Sequence, residues 1–132
     1  HEDFPAFLVV NELLGGYFGS RLMKNIREEK GLTYGIHSSI QSLMHGAYFI
    51  ISTDVKRENT NLALDEIRLE IERLKSSEVN EEELKIVTSY MKGRFMNSIT
   101  TPFSLMDKFK SVYFSGLDYK YYDVLIEKLN TI

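Results

Sequence analysis

The sequence predicts an α+β fold in which several helices pack against an antiparallel sheet built on one hairpin. Three observations carry this. Tyr34, Ile36 and Ile40 fall on alternate positions, as do Ala47, Phe49 and Ile51, on either side of a Met44-His45-Gly46 turn; this is the period of two strands joined by a short loop. Leu64, Ile67, Ile71 and Leu74 recur at steps of three and four, the period of an amphipathic helix. Helix-start signals at Asn80 and at Thr101-Pro102 divide the remainder into further helices. A two-stranded hairpin is rarely stable alone, so the sheet is expected to gain more strands.

Taken in order, Asp3 can cap a first helix with Pro5 in its first turn; Phe7, Val10 and Leu14 follow, and Gly15-Gly16 stops it. Ser20 reads as the N-cap of a second helix that runs to about Lys30 and buries Leu22 and Ile26. The strand pattern runs from Leu32 to Leu43 and resumes after the turn. The helix of Leu64 to Leu74 carries Glu, Lys and Arg on its other face, which reads as a solvated surface. Asn80 as cap, Glu83 as its capping-box partner and Val79 stapled onto Leu84 start a helix within a residue of Glu81, continuing through Val87, Met91 and Phe95 to about Ser98. Thr101 and Pro102 start the next, through Met106, Phe109 and Tyr113 to Gly116. Leu117, Asp118 and Tyr122 open the last, which carries Leu125, Ile126 and Leu129. The aromatic and Met residues at these spacings read as core, not as contacts to a cofactor. With no internal repeat, low-complexity tract or linker, residues 1–132 read as a single domain.

Composition narrows the function classes. The chain has 132 residues, 43% hydrophobic and 27% charged, with a formal net charge of −3 and no cysteine. That mild acidity, without a basic helix face, argues against nucleic acid or an anionic membrane as partner. No apolar run approaches the ~20 residues of a membrane span. The absence of cysteine removes thiolate metal sites and cysteine nucleophiles, and fits a cytoplasm or a periplasm equally, so the compartment stays open. Gly15, Gly16 and Gly19 lack the spacing of a phosphate loop, and no Gly-x-Ser-x-Gly elbow is present. Because the chain starts at His1, it reads as a piece of something longer.

The richest stretch is Arg27-Glu28-Glu29-Lys30-Gly31-Leu32-Thr33-Tyr34, where a helix ending in a basic residue passes through a glycine to a strand that begins with a tyrosine. Arg27 suits the negative end of the helix, and Gly31 is the residue best able to take the left-handed cap conformation. A turn between them can fold Tyr34 back beside Arg27. By themselves, the residues favour a plain reading: Arg27 as a dipole partner, Tyr34 as half-buried sheet filler.

Together, LLGGYFGSRL followed by REEKGLTYGI resembles the carboxy-terminal, non-zinc-binding type of domain in the pitrilysin/insulinase family of inverted-zincin metallopeptidases, which includes bacterial zinc proteases and mitochondrial processing peptidases. The resemblance extends from about Asp3 to Ile132 and is densest between Leu13 and Tyr34. It implies an α+β sandwich whose sheet includes strands before Asp3 and after Ile132, so that the chain looks clipped at both ends of the sheet. It also implies roles: Tyr34 hydrogen-bonds the substrate carbonyl as it becomes an oxyanion, and Arg27 helps to hold the substrate and the closed arrangement.

The family binds zinc through HxxEH on a helix. Neither that pattern nor HExxH occurs at His1, His37 or His45. No cofactor is therefore expected in this chain; His45 reads as a turn residue, His37 as a sheet residue of undetermined facing, and zinc is expected in a companion domain or subunit. The implied function is the substrate-side domain of a zinc-dependent peptidase, with a peptide as substrate. Two alternatives stand beside it: a non-catalytic structural or assembly subunit of the same family, and a peptide-binding module that adds an extended ligand to a strand edge. Unpaired sheet edges would also allow a homo-oligomer.

Overall fold

Residues 4–16 wind as one rod that changes pitch along its length. A computed structural model describes residues 3–43 and 45–131; Met44 of the expected turn, His1 and Ile132 lie outside the described residues. Helix α1 (Phe4–Asn11) is followed directly by a π-helix, Glu12–Gly16. The stop at Gly15-Gly16 is where the sequence puts it, and Leu14 is buried, but the rest of the inner face is not the expected one. Phe7 and Val10 are exposed, whereas Val9, Leu13 and Leu14 are buried. The helix is apolar nearly all round, so side-chain period alone could not choose its inner face.

A second π-helix covers Met23–Glu29 and is entered through Arg21 and Leu22. Leu22 and Ile26 are completely buried, as expected. Ser20 corrects its expected role. Its carbonyl accepts the first helical bond, from Lys24 N–H at 3.0 Å, but its hydroxyl is buried without a hydrogen bond among the described residues. The turn that delivers it, closed by Ser20 N–H to the Tyr17 carbonyl at 3.1 Å, points that hydroxyl inward.

Strands β1 (Ile36–Leu43) and β2 (Gly46–Thr53) form a two-stranded antiparallel sheet. The register pairs Ile36 with Thr53, Ser38 with Ile51 and Ile40 with Phe49, so these share one face, while His37 opposite Ser52 lies on the other. The α+β class is thus the observed one, and the expected alternation holds from Ile36 onward. It fails before that. The first strand does not begin at Leu32, because Thr33 and Thr53 hold residues 33–35 in a loop: Thr33 Oγ1 donates to the Asp54 carbonyl at 2.7 Å and accepts from Gly35 N–H at 3.2 Å and from the Thr53 hydroxyl at 3.0 Å. Strand β1 lies against the first π-helix at Gly15, where an added Cβ would sit 2.8 Å from Ser38 N and 2.7 Å from its Oγ. Only glycine allows that approach.

A 3₁₀ turn (Arg57–Asn59) leads into α2 (Thr60–Ser76). Ile67, Ile71 and Leu74 pack on a core of Leu14, Leu22, Met23, Ile26 and Ile36, with Leu32 and Ile51. Leu64, expected on that stripe, is exposed, and Ala63 is buried in its place. Residues 7–80, comprising the two π-helices, the sheet and α2, form one compact unit; residues 3–6 with 81–131 form another.

In the second unit, α3 (Glu81–Asn97) starts directly after Asn80, where the cap reading put it. Helix α4 (Pro102–Phe114) has Thr101 as its cap: Thr101 Oγ1 accepts from Ser104 N–H at 3.2 Å, and the Thr101 N–H donates to Ser104 Oγ at 3.1 Å, a capping box completed by a serine. Thr101→Ala should therefore lower stability by about 1 kcal/mol, read as a shift in the denaturation midpoint. Gly116 ends the helix with φ +69°, and Leu117 N–H bonds back to the Val112 carbonyl at 2.9 Å. Asp118 Oδ1 accepts from Lys120 N–H at 2.9 Å at the start of α5 (Lys120–Thr131), which packs on α3. The core reading of α4 is corrected, since Met106, Phe109 and Tyr113 are exposed and Val112 is the buried residue. The rings pack on one another instead, with Phe109 5.6 Å from Tyr113 and 6.0 Å from Tyr119 between centroids.

Candidate functional site

Arg27 stands in the last turn of the second π-helix, and the chain then reverses at Gly31, whose φ is +61°. Lys30 N–H bonds to the Asn25 carbonyl at 3.1 Å and Leu32 N–H to the Ile26 carbonyl at 3.0 Å. The second bond closes the cap one residue wider than the usual 6→1 cap bond, because the turn beneath it is π-wound. A side chain at Gly31 would meet no atom; the requirement for glycine is the positive φ alone.

This reversal brings the two singled-out residues together. The Arg27 guanidinium carbon lies 5.8 Å from the centroid of the Tyr34 ring. Tyr34 is 94% exposed, and among the described residues its hydroxyl makes no hydrogen bond. It is neither in a strand nor half-buried, which removes the sheet-filler reading. Arg27 also lies over the Phe18 ring, 4.6 Å from its centroid, and its ion pair with Glu28 is a loose 4.0 Å. A part-exposed cation and an exposed phenol therefore stand together at a helix end, with donors that a carbonyl or carboxylate oxygen could accept from.

Behind Arg27 lies a polar lock that the sequence reading missed. Asn25 Nδ2 donates to Glu66 Oε2 at 3.0 Å and to Glu70 Oε1 at 2.7 Å. Arg73 donates to the same Glu70 oxygen at 2.6 Å, and Lys30 pairs with Glu66 at 3.4 Å. Glu70 and Asn25 are both buried, so the assumption of a solvated charged face on α2 is corrected at Glu70. The Asn25 hydrogen bond holds the Glu66 carboxyl below the ordinary glutamate range, aided by Lys30. The signal was there: Glu70 is three residues after Ile67 and four before Leu74, a charge on the apolar stripe. Such a residue needs a buried partner.

His37 and His45 are not brought together. His37 is on the outer face of the sheet and His45 in the exposed turn, and among the described residues no three His, Cys, Asp or Glu side chains gather into a ligand set.

Fold and site together define an α+β domain that sets a cation beside an exposed phenol at a helix end, with no cluster of metal-ligating side chains among the described residues. The family described as "Peptidase M16 inactive domain" matches residues 1–89, and the chain belongs to it. It is 29% identical over 133 residues to a Bacillus subtilis protein named "Uncharacterized zinc protease YmxG", covering 100% of this chain and 32% of that protein. It is 24% identical over 106 residues to "Probable inactive metalloprotease YmfF" of the same organism, covering 80% of this chain and 24% of that one. The crystal structure of a peptidase M16 inactive domain from Pseudomonas fluorescens superposes with a TM-score of 0.88 at 25% identity, over 100% of this chain and 32% of that one. A protease from Helicobacter pylori shares the fold, with a TM-score of 0.87 at 19% identity over 98% of this chain and 31% of that one. The chain thus spans about a third or less of the length of these relatives.

Proposed function

We propose that this domain is the substrate-side partner of a zinc peptidase, working with a companion domain or subunit that carries the metal. The observation that supports this most directly is the pairing of Arg27 with an outward-facing Tyr34 on a capped helix end, in a chain of the M16 inactive-domain family. In this reading the Tyr34 hydroxyl donates to the peptide carbonyl oxygen as negative charge develops on it. Arg27 donates to a second oxygen of the peptide and keeps it in place. Such donors lower a barrier only when fixed beforehand, and the Asn25–Glu70 lock and the Gly31 cap supply that rigidity.

The test is turnover of the full-length protein carrying Arg27→Ala, which should fall while the melting temperature holds. A parent-like rate would overturn the assignment. Zinc content gives an independent check: His37→Ala and His45→Ala should each leave the metal stoichiometry of the full-length protein unchanged. A drop in bound zinc in either variant would place the metal on this chain after all.

A second reading is favoured by the likeness to YmfF, whose name describes an inactive metalloprotease. Here the whole protein binds peptides or assembles without cleaving them. An HxxEH helix in the companion region, together with turnover, decides for the first reading; peptide binding without turnover decides for the second.

A further inference from the structure

Among the described residues, the Arg27 guanidinium is held chiefly by a ring. Its carbon is 4.6 Å from the Phe18 centroid, against a 4.0 Å contact to the half-exposed Glu28 carboxylate at the outer limit of an ion pair. Phe18 is 65% exposed, in the turn between the two π-helices, and so contributes little to the core. The chemistry of the two holders differs. A carboxylate occupies the N–H donors of an arginine and cancels its charge; an aromatic face fixes the guanidinium plane and leaves the donors and the charge in place. A cation meant for a peptide oxygen is better held in the second way.

We propose that Phe18 is a positioning residue for Arg27: its ring fixes the guanidinium plane beside Tyr34 while the N–H edge stays open to the peptide. The inference rests on the proposed substrate-side function and deepens it, because it explains how a part-exposed arginine is preorganised with only a loose acidic partner.

The experiment uses the full-length protein and one peptide substrate, with Phe18→Ala, Phe18→Leu and Phe18→Tyr compared with Arg27→Ala and with Phe18→Ala/Arg27→Ala. Loss of the ring face should raise KM by about three- to thirtyfold, the range of a cation–π contact from exposed to desolvated, with kcat changed much less. Leu should fail as Ala does, Tyr should restore the parent KM, and all single variants should melt like the parent. In the Arg27→Ala background the Phe18→Ala change should add nothing. A parent-like KM for Phe18→Leu, or an undiminished Phe18→Ala effect without Arg27, overturns the positioning role while leaving the Arg27 assignment intact. If Arg27→Ala is itself without effect on KM and kcat, both proposals fall together.

Discussion

Tyr34→Phe in the full-length protein is expected to lower turnover by about 10²–10³, roughly 3–4 kcal/mol of transition-state stabilisation, if the phenol donates to the developing oxyanion. The substitution removes one hydroxyl and keeps the ring. Because that hydroxyl makes no hydrogen bond among the described residues and the side chain is 94% exposed, the folded state loses almost nothing. Melting temperature and KM should stay near the parent values, since the donor acts on charge that appears only along the reaction. Steady-state kinetics beside a thermal melt separates the outcomes. A Tyr34→Phe protein that melts normally and cleaves at the parent rate would rule out the oxyanion role.

Ile26→Ala should do the reverse. Ile26 is completely buried and belongs to the cluster of Leu14, Leu22, Met23 and Ile36. Truncation removes apolar contacts and leaves a cavity in the turn next to Arg27, at an expected cost of about 2–5 kcal/mol. That is a large part of the roughly 5–15 kcal/mol by which a domain is stable. The denaturation midpoint should drop sharply, and activity should fall with the folded fraction. A midpoint within about 0.5 kcal/mol of the parent would show that the core is not built around this residue.

These two residues also illustrate what could be read without coordinates. Ile26 was legible because the four-residue step from Leu22 repeats the helical period, and burial follows period when polar neighbours mark the other face. The same rule misled at Phe7 and Val10, where no polar residue marks an outer face, and along α4, where aromatic rings cover one another at the surface. The nearness of Arg27 and Tyr34 was foreseeable from Gly31, since a left-handed cap reverses the chain. The exposure of Tyr34 was not, because it depends on hydroxyl bonds between Thr33 and Thr53, residues distant in sequence. Asn25 falls in the same class, an ordinary surface polar residue to look at until Glu70 is brought to it, whereas Glu70 betrays itself by its place on the apolar stripe of α2.

The wide winding before Gly31 bears on how residue roles are carried from one relative to another. A turn closed by a bond to the fifth preceding residue holds one residue more than an ordinary α-turn. A homologue wound as plain α-helix over Met23–Glu29 would reach the same glycine with one residue fewer. An alignment anchored on that glycine without a gap would then match Arg27 to the wrong neighbour. Correspondence at this position is therefore a matter of superposed backbones, and a count of letters back from the glycine can be out of step by one.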